Sequence, residues 1–334
     1  MKPSHIVRVL TGVLVCFQIG ASLPVQAQAQ AQNPAQSFPS RPLRVVIPFT
    51  AGGTLDWLVR HVGEEMSRSL RQPIIIENRP GAGTVIGVDA IAKAAPDGHS
   101  LVIVANSFTA NHTLVPKLPY DSLRDLTPVG MIAVTANVLL AHPGVPGATL
   151  ADLIQHAKSN PGKLSYGSFG NGTTPHLAAE MLKSMTGIDI VHVPYKGLPQ
   201  VMLDLSGNQI QLAFGNLPSA LPLIRSGKLK SFGVTYLERS RLAPDLPTVA
   251  EQGLAGFETN SWYGYLAPGA TPAAIVRRLN AELVRALGID QVRDEMIRRG
   301  LDPIPGTPEQ MGEFVRAEIT KNGRIIKSAN IKVD

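Results

Sequence analysis

Cysteine is all but missing from this chain: the single copy, Cys16, lies close to the start. A disulfide framework is therefore excluded, and the protein must be held by its core. Aromatic residues make up only 5% and charged residues 17%, with no long block of like charge, which argues against nucleic acid as a partner. The eight histidines show no HxxxH or HExxH spacing, so nothing points to a metal. No Gly-x-Ser-x-Gly elbow is present either; Ser168 with His176 is the best nucleophile and base pair on offer, and no acid is marked to orient it. Past the first residues no apolar run reaches the ~18 residues of a membrane span.

What is present begins with a charged, then apolar, then small-residue leader. Lys2 and Arg8 flank an apolar run over residues 9–17, and Val25-Gln26-Ala27 and Ala27-Gln28-Ala29 supply cleavage sites. Residues 1–27 are read as a secretory signal peptide, because Gln18 and Pro24 interrupt the run well short of a membrane anchor. Cleavage takes Cys16, Lys2 and Arg8 with it, lowering the net charge from +6 to +4. Residues 28–37, rich in Gln and Ala, read as a flexible leader.

From residue 38 apolar runs alternate with helical patterns. Residues 43–49 predict a buried strand, Ala51-Gly52-Gly53-Thr54 breaks it, and Leu58, Val62, Met66 and Leu70 recur four apart on one face of a helix over 55–70. The unit repeats with a strand at 73–77, a loop at 79–83, a helix over 84–95 capped by Thr84, and a strand at 100–105. Further strands are expected at 130–141, 163–166, 190–194, 210–215 and 230–235, and helices at 175–185, 271–286 and 308–319. Continuous apolar strands between helices predict an α/β fold with a mostly parallel sheet covered on both faces.

Two loops are built alike. Thr50-Ala51-Gly52-Gly53-Thr54-Leu55-Asp56 and Gly167-Ser168-Phe169-Gly170-Asn171-Gly172-Thr173-Thr174 each leave a strand, combine glycine with short polar groups, and feed a helix N-terminus. Such a loop can turn N–H groups outward toward an anion, with the helix end adding ~0.5 of a positive charge. Ordinary turns capped by Thr54 and Thr174 would look the same. Gly81-Ala82-Gly83-Thr84-Val85-Ile86-Gly87 imitates a dinucleotide fingerprint but carries one residue too many before its last glycine, and no acid closes the next strand; no cofactor is expected. Lys196, at a strand end, reads equally as a carboxylate partner or a solvated side chain. His192 reads as a core histidine, and Trp262-Tyr263-Gly264-Tyr265 as a hinge, a cleft wall or plain core.

Taken in order, several segments resemble the Bug-type solute receptors of tripartite tricarboxylate transporters. Residues 38–49 followed by Gly52-Gly53-Thr54-Leu55-Asp56 resemble their start, and Glu77-Asn78-Arg79-Pro80-Gly81, Ala95-Pro96-Asp97-Gly98, Leu118-Pro119-Tyr120-Asp121, Gly170-Asn171-Gly172-Thr173, His192-Val193-Pro194-Tyr195-Lys196-Gly197, Asn216-Leu217-Pro218-Ser219 and Leu246-Pro247-Thr248-Val249 continue the likeness. The resemblance implies a type II periplasmic-binding-protein fold with a ligand cleft between two α/β domains: residues 38–138 with 258–334, and residues 139–257. It implies a non-enzymatic, periplasmic, monomeric receptor that passes a small organic carboxylate to membrane transporter subunits. A sensory receptor of the same fold and a secreted hydrolase are the alternatives. Carried over, the ligand contacts would be Thr50, Gly52, Gly53, Thr54 and Asp56 on one side and Ser168, Asn171, Gly172 and Thr173 on the other, with Asn106 and Ser107 added, and water often bridging. The chain departs from many such receptors in Ala51, where they carry Pro, and in Gly215, where they carry Asp, which puts recognition of an amine in doubt.

Overall fold

The computed structural model describes residues 38–328 and 331, so the expected signal peptide and leader lie outside the described residues. The chain opens with β1 (Leu43–Ile47), α1 (Thr54–Leu70), β2 (Ile74–Asn78), a 3₁₀ turn (Ala82–Thr84), α2 (Val85–Ala92), β3 (Ser100–Val104) and α3 (Asn106–Leu114). A long strand, β4 (Leu126–Ala141), leads to α4 (Leu150–Ser159), β5 (Ser165–Ser168), α5 (Thr174–Thr186), β6 (Val191–Pro194), α6 (Leu198–Ser206), β7 (Leu212–Asn216), α7 (Leu217–Arg225) and β8 (Lys230–Val234). The second long strand, β9 (Asn260–Pro268), is followed by α8 (Ala273–Leu287), α9 (Asp290–Arg298), β10 (Asp302–Pro303) and α10 (Pro308–Ser328).

The strands join in the order β2-β1-β3-β9-β4-β7-β5-β6, with β8 and β10 also paired to β4. Pairing is parallel at each end, β1 with β2 and β3, and β5 with β6 and β7. Around β4 and β9 every pairing is antiparallel. The sheet is thus mixed rather than mostly parallel, because an apolar run marks a buried strand without marking its direction.

Alternation along the strands puts core on both faces. At the first end Val45, Ile47, Leu101, Ile103 and Tyr265 pack with the apolar stripe of α1 and with α8. Val46, Val102, Val104, Trp262 and Leu266 face the other way toward α2 and α10. Strand β4 repeats the pattern at the second end: Leu139 and Ala141 join a core with α4 and α5, while Val138 and Leu140 join one with α6 and α7. Because the parallel strands at each end share a direction, each delivers its following helix at one edge of the sheet, the place where open α/β sheets hold ligands.

Candidate functional site

Five helix N-termini meet around one cavity. Its lining takes Gly53 and Thr54 from the start of α1, Asn106 and Ser107 from α3, Thr173 and Thr174 from α5, Gly197 and Leu198 from α6, and Asn216 just before α7. The cap positions of these helices, Gly53, Ala105, Thr173, Gly197 and Asn216, make no side-chain capping bond. Of the other helices, α4 has a capping box from Thr149 and Asp152 and α10 the same pair of bonds between Thr307 and Gln310, while α2, α8 and α9 also have no side-chain cap. The first-turn N–H groups of a helix have no acceptor within it, so five uncapped termini present donors and partial positive charge to one space. Pro175, Pro199 and Pro218 occupy the second positions of α5, α6 and α7 and remove one donor from each, which leaves α1 and α3 the richer ends.

The cavity measures about 50 Å³, room for a few water molecules. Phe49, Leu55, Phe169 and Leu198 give it apolar walls. Its floor is a neutral polar network that crosses from β7 to β9 and β4. Asn216 Nδ2 donates to Asn137 Oδ1 (3.0 Å) and to Ser261 Oγ (3.2 Å), and Ser261 Oγ lies 3.2 Å from Asn137 Oδ1 and 3.3 Å from Thr174 Oγ1. Burial raises the Tyr263 phenol far above its ordinary pKa, against hydrogen bonds from Ser261 and Asn216 that lower it, so the floor stays uncharged.

Among the lining residues no lysine or arginine occurs, and Asp56 is the one ionisable carboxylate. Its oxygens are taken by Arg60 (3.0 and 3.1 Å), by the Gly52 N–H (3.2 Å) and by Asn78 Nδ2 (3.2 Å). Burial pushes the Asp56 carboxyl up, but the bonds from Arg60, Gly52 and Asn78 outweigh it and hold the group below the usual carboxylate range. Asp56 braces the first loop, with Gly52 at φ 87° turning its N–H inward.

Of the residues expected from the sequence, Thr50, Gly53, Thr54, Asp56, Asn106, Ser107 and Thr173 line the cavity, whereas Gly52, Ser168, Asn171 and Gly172 do not. Ser168 is fully buried; its Oγ lies 2.7 Å from His192 Nε2 and accepts the Gly170 N–H at 3.1 Å. Ser168 and His176, the pair a hydrolase would have needed, are bonded to other groups. His176 Nδ1 accepts the Gly172 N–H at 3.0 Å, and its ring stacks on His192 at 4.2 Å. Burial, helped by Lys183, lowers His176 to about 4, so the ring is neutral, as its acceptor role requires. Gly172 lies against Ala110, Asn111 and Leu114 of α3. Lys196 is exposed and does not line the cavity.

Thr84 does not cap α2 with its side chain. At φ 83° it donates its hydroxyl to Ser107 Oγ at 3.0 Å, while Asn111 Nδ2 holds the Gly83 carbonyl at 2.8 Å. The fingerprint-like segment therefore supports the cavity from behind, and Ser107 keeps its own proton to donate. A side chain at Gly215 would meet Leu140, Leu198 and Met202, which belong to the apolar core shared with α6 and α7. Sequence reasoning missed Asn216, Ser261 and Gly197, whereas Tyr263 lies in the aromatic segment read as a hinge, a cleft wall or core and does line the cavity. Asn216-Leu217-Pro218 carried a signal, since like Thr173-Thr174-Pro175 it leads from a strand end into a proline-bearing first turn; Ser261 carried none.

The sequence model of the family described as "Tripartite tricarboxylate transporter family receptor" matches residues 58–331. The chain is similar to the solved periplasmic binding protein BugD, at 31% identity and a TM-score of 0.85 over 89% of this chain and 100% of that one. It is also similar to R. palustris Rpa4515 solved with adipate, at 36% identity and a TM-score of 0.85 over 89% of this chain and 100% of that one. MatC (Rpa3494) from Rhodopseudomonas palustris, solved with bound malate, matches at 32% identity and a TM-score of 0.83 over 86% of this chain and 100% of its own.

Proposed function

The chain belongs to the tripartite tricarboxylate transporter receptor family, and on that footing we propose that it is an exported, monomeric receptor that binds a small organic carboxylate and delivers it to membrane transporter subunits. The convergence of five uncapped helix N-termini on a cavity without a lysine or arginine carries this reading. Backbone N–H groups and hydroxyls supply the contacts, and aligned helix ends supply the charge. Thr50, Gly53, Thr54, Asn106, Ser107 and Thr173 are the expected contacts, with Asn216, Ser261 and Tyr263 beneath. Two similar proteins were solved with adipate and malate, which favours a dicarboxylate here. The protein is read as a binder and not an enzyme, since Ser168 is buried away from the cavity.

In this reading residues 38–138 with 258–334 form one domain and residues 139–257 the other, and β4 and β9 are the strands on which they hinge. Export to the periplasm follows from the leader; among the described residues no helix is long and apolar enough to cross a membrane. The test is a thermal-shift screen of dicarboxylates, aromatic carboxylates and amino acids at equal concentration. A ligand at about 100 times its Kd stabilises by about 2.7 kcal/mol, which for a chain of this size is a rise of about 5–8 °C. Such a rise is expected for a dicarboxylate; one for an amino acid, with none for any carboxylate, would overturn the reading.

A further inference from the structure

The cavity is walled from both ends of the sheet, and the residues that meet across it decide how closely those walls come together. Two cross-wall contacts stand out. Thr54 Oγ1, at the start of α1, lies 2.7 Å from Ser219 Oγ in the first turn of α7, at opposite ends of the sheet. On another part of the rim Thr50 presses on Gly197: a Cβ built on Gly197 would lie 2.1 Å from Thr50 Oγ1, with the next atom, Thr50 Cβ, at an ordinary 3.4 Å. Gly197 has φ 173° and ψ 169°, extended backbone that any residue adopts, so conformation does not call for glycine there. The approach of Thr50 does. Thr50 Oγ1 is also buried with no hydrogen-bond partner among the described residues, as expected of a contact fixed by shape.

We propose that Gly197 and Ser219 are positioning residues for ligand capture: the glycine permits full approach of the two walls, and the serine hydroxyl latches them. Ser219 does not line the cavity, and its contribution falls on the closed form whatever ligand is inside. The inference rests on the receptor reading above. An apparent Kd rises in proportion to the loss of the competent form, so Ser219, outside the cavity, sets residence time while the cavity contacts set ligand choice.

The test is a double-mutant cycle read by binding kinetics. Gly197→Ala is expected to raise Kd about tenfold or more and Ser219→Ala about fivefold. Both changes fall in koff, and the Ser219→Ala factor is the same for every carboxylate bound. In a Thr50→Ala background the atom struck by the new methyl is gone, and adding Gly197→Ala should cost less than about twofold. Additive effects of Thr50→Ala and Gly197→Ala, or a Ser219→Ala factor that differs between ligands, would overturn the proposal. A second arm needs no ligand. The chain after its leader carries no cysteine, so spin labels on Glu64→Cys and Lys158→Cys, exposed on α1 and α4, report the separation of the two ends. Gly197→Ala should shift that distribution outward, and Thr50→Ala with it should restore it. Identical distributions in the parent and Gly197→Ala proteins would overturn the proposal, whereas failure of every carboxylate to bind would count against the receptor reading alone.

Discussion

The Asp56 carboxylate is gripped by the Arg60 guanidinium one turn further along α1, through bonds of 3.0 and 3.1 Å. A free acid at this spot would draw an amine into the cavity; one already matched by a guanidinium, the Gly52 N–H and Asn78 does not. The depressed pKa of Asp56 means that its contribution to stability is present above the ordinary value of 3.8 and is lost as pH falls through the lower folded-state value. Arg60 is half-exposed, so solvent screening trims the pair's worth. Asp56→Asn should lower stability by about 1–2 kcal/mol at pH 7 in urea unfolding, with the gap between the two proteins narrowing at pH 3. A gap that stays constant with pH would show that the charge is not what matters.

His176 gives a second pH dependence, in a higher window. Its folded-state pKa, about 4, lies below the ordinary histidine value of 6.5, so between these the unfolded chain binds the extra proton. Stability from this group is complete above about pH 6.5 and declines as pH falls toward 4. At 1.36 kcal/mol per pKa unit the total is about 3 kcal/mol. The groups facing the ring are His192, stacked on it, the Gly172 N–H, and the Lys183 charge. His176→Asn keeps an acceptor for Gly172 without titrating. The parent protein should lose about 2–3 kcal/mol more than this variant between pH 7 and pH 4; parallel losses would refute the assignment.

The units that begin with an apolar strand and a Gly-rich turn were legible because periodicity reports burial: the four-apart stripe of Leu58, Val62, Met66 and Leu70 is buried along its length. Helix α3 was not legible. It buries Asn106, Ser107, Thr109 and Asn111 alongside Phe108 and Ala110, so it shows no amphipathic stripe. Polar groups on its buried side serve the cavity and its supports: Asn106 ties to Asn260 and Trp262 of β9, and Asn111 to Gly83. Helices α6 and α7 are nine residues each with proline at the second position, which reads as loop until the strands before them are placed. Ser261 lies in a strand of bulky aromatics, and its partners Asn137, Thr174 and Asn216 come from three distant segments, a meeting that only the sheet order reveals.

The two glycine loops, alike in composition, are expected to fail differently when altered. Gly53 has φ −87° and ψ 175°, a conformation open to any residue, and a Cβ there meets nothing within 4 Å; it faces the cavity. Gly172 has φ 72°, and a Cβ there would lie 3.0 Å from Leu114, 3.2 Å from Ala110 and 3.2 Å from Asn111. Composition cannot separate a glycine that leaves room for a ligand from one that lets the backbone turn against a neighbouring helix; φ and the nearest atoms do. Gly53→Val should therefore cost only about 1 kcal/mol, from the poorer N-cap, while its affinity for the bound carboxylate falls at least tenfold. Gly172→Val should lose about 1–3 kcal/mol of stability through backbone strain and crowding, with any loss of binding following from the displaced loop. Ser168→Ala removes the bond to His192 outside the cavity and should cost about 1 kcal/mol with little change in affinity. Chemical denaturation and calorimetric titration on the three variants decide the matter: a Gly53→Val protein that binds normally would remove the first loop from the site, and a Ser168→Ala protein that alone lost binding would return that hydroxyl to it.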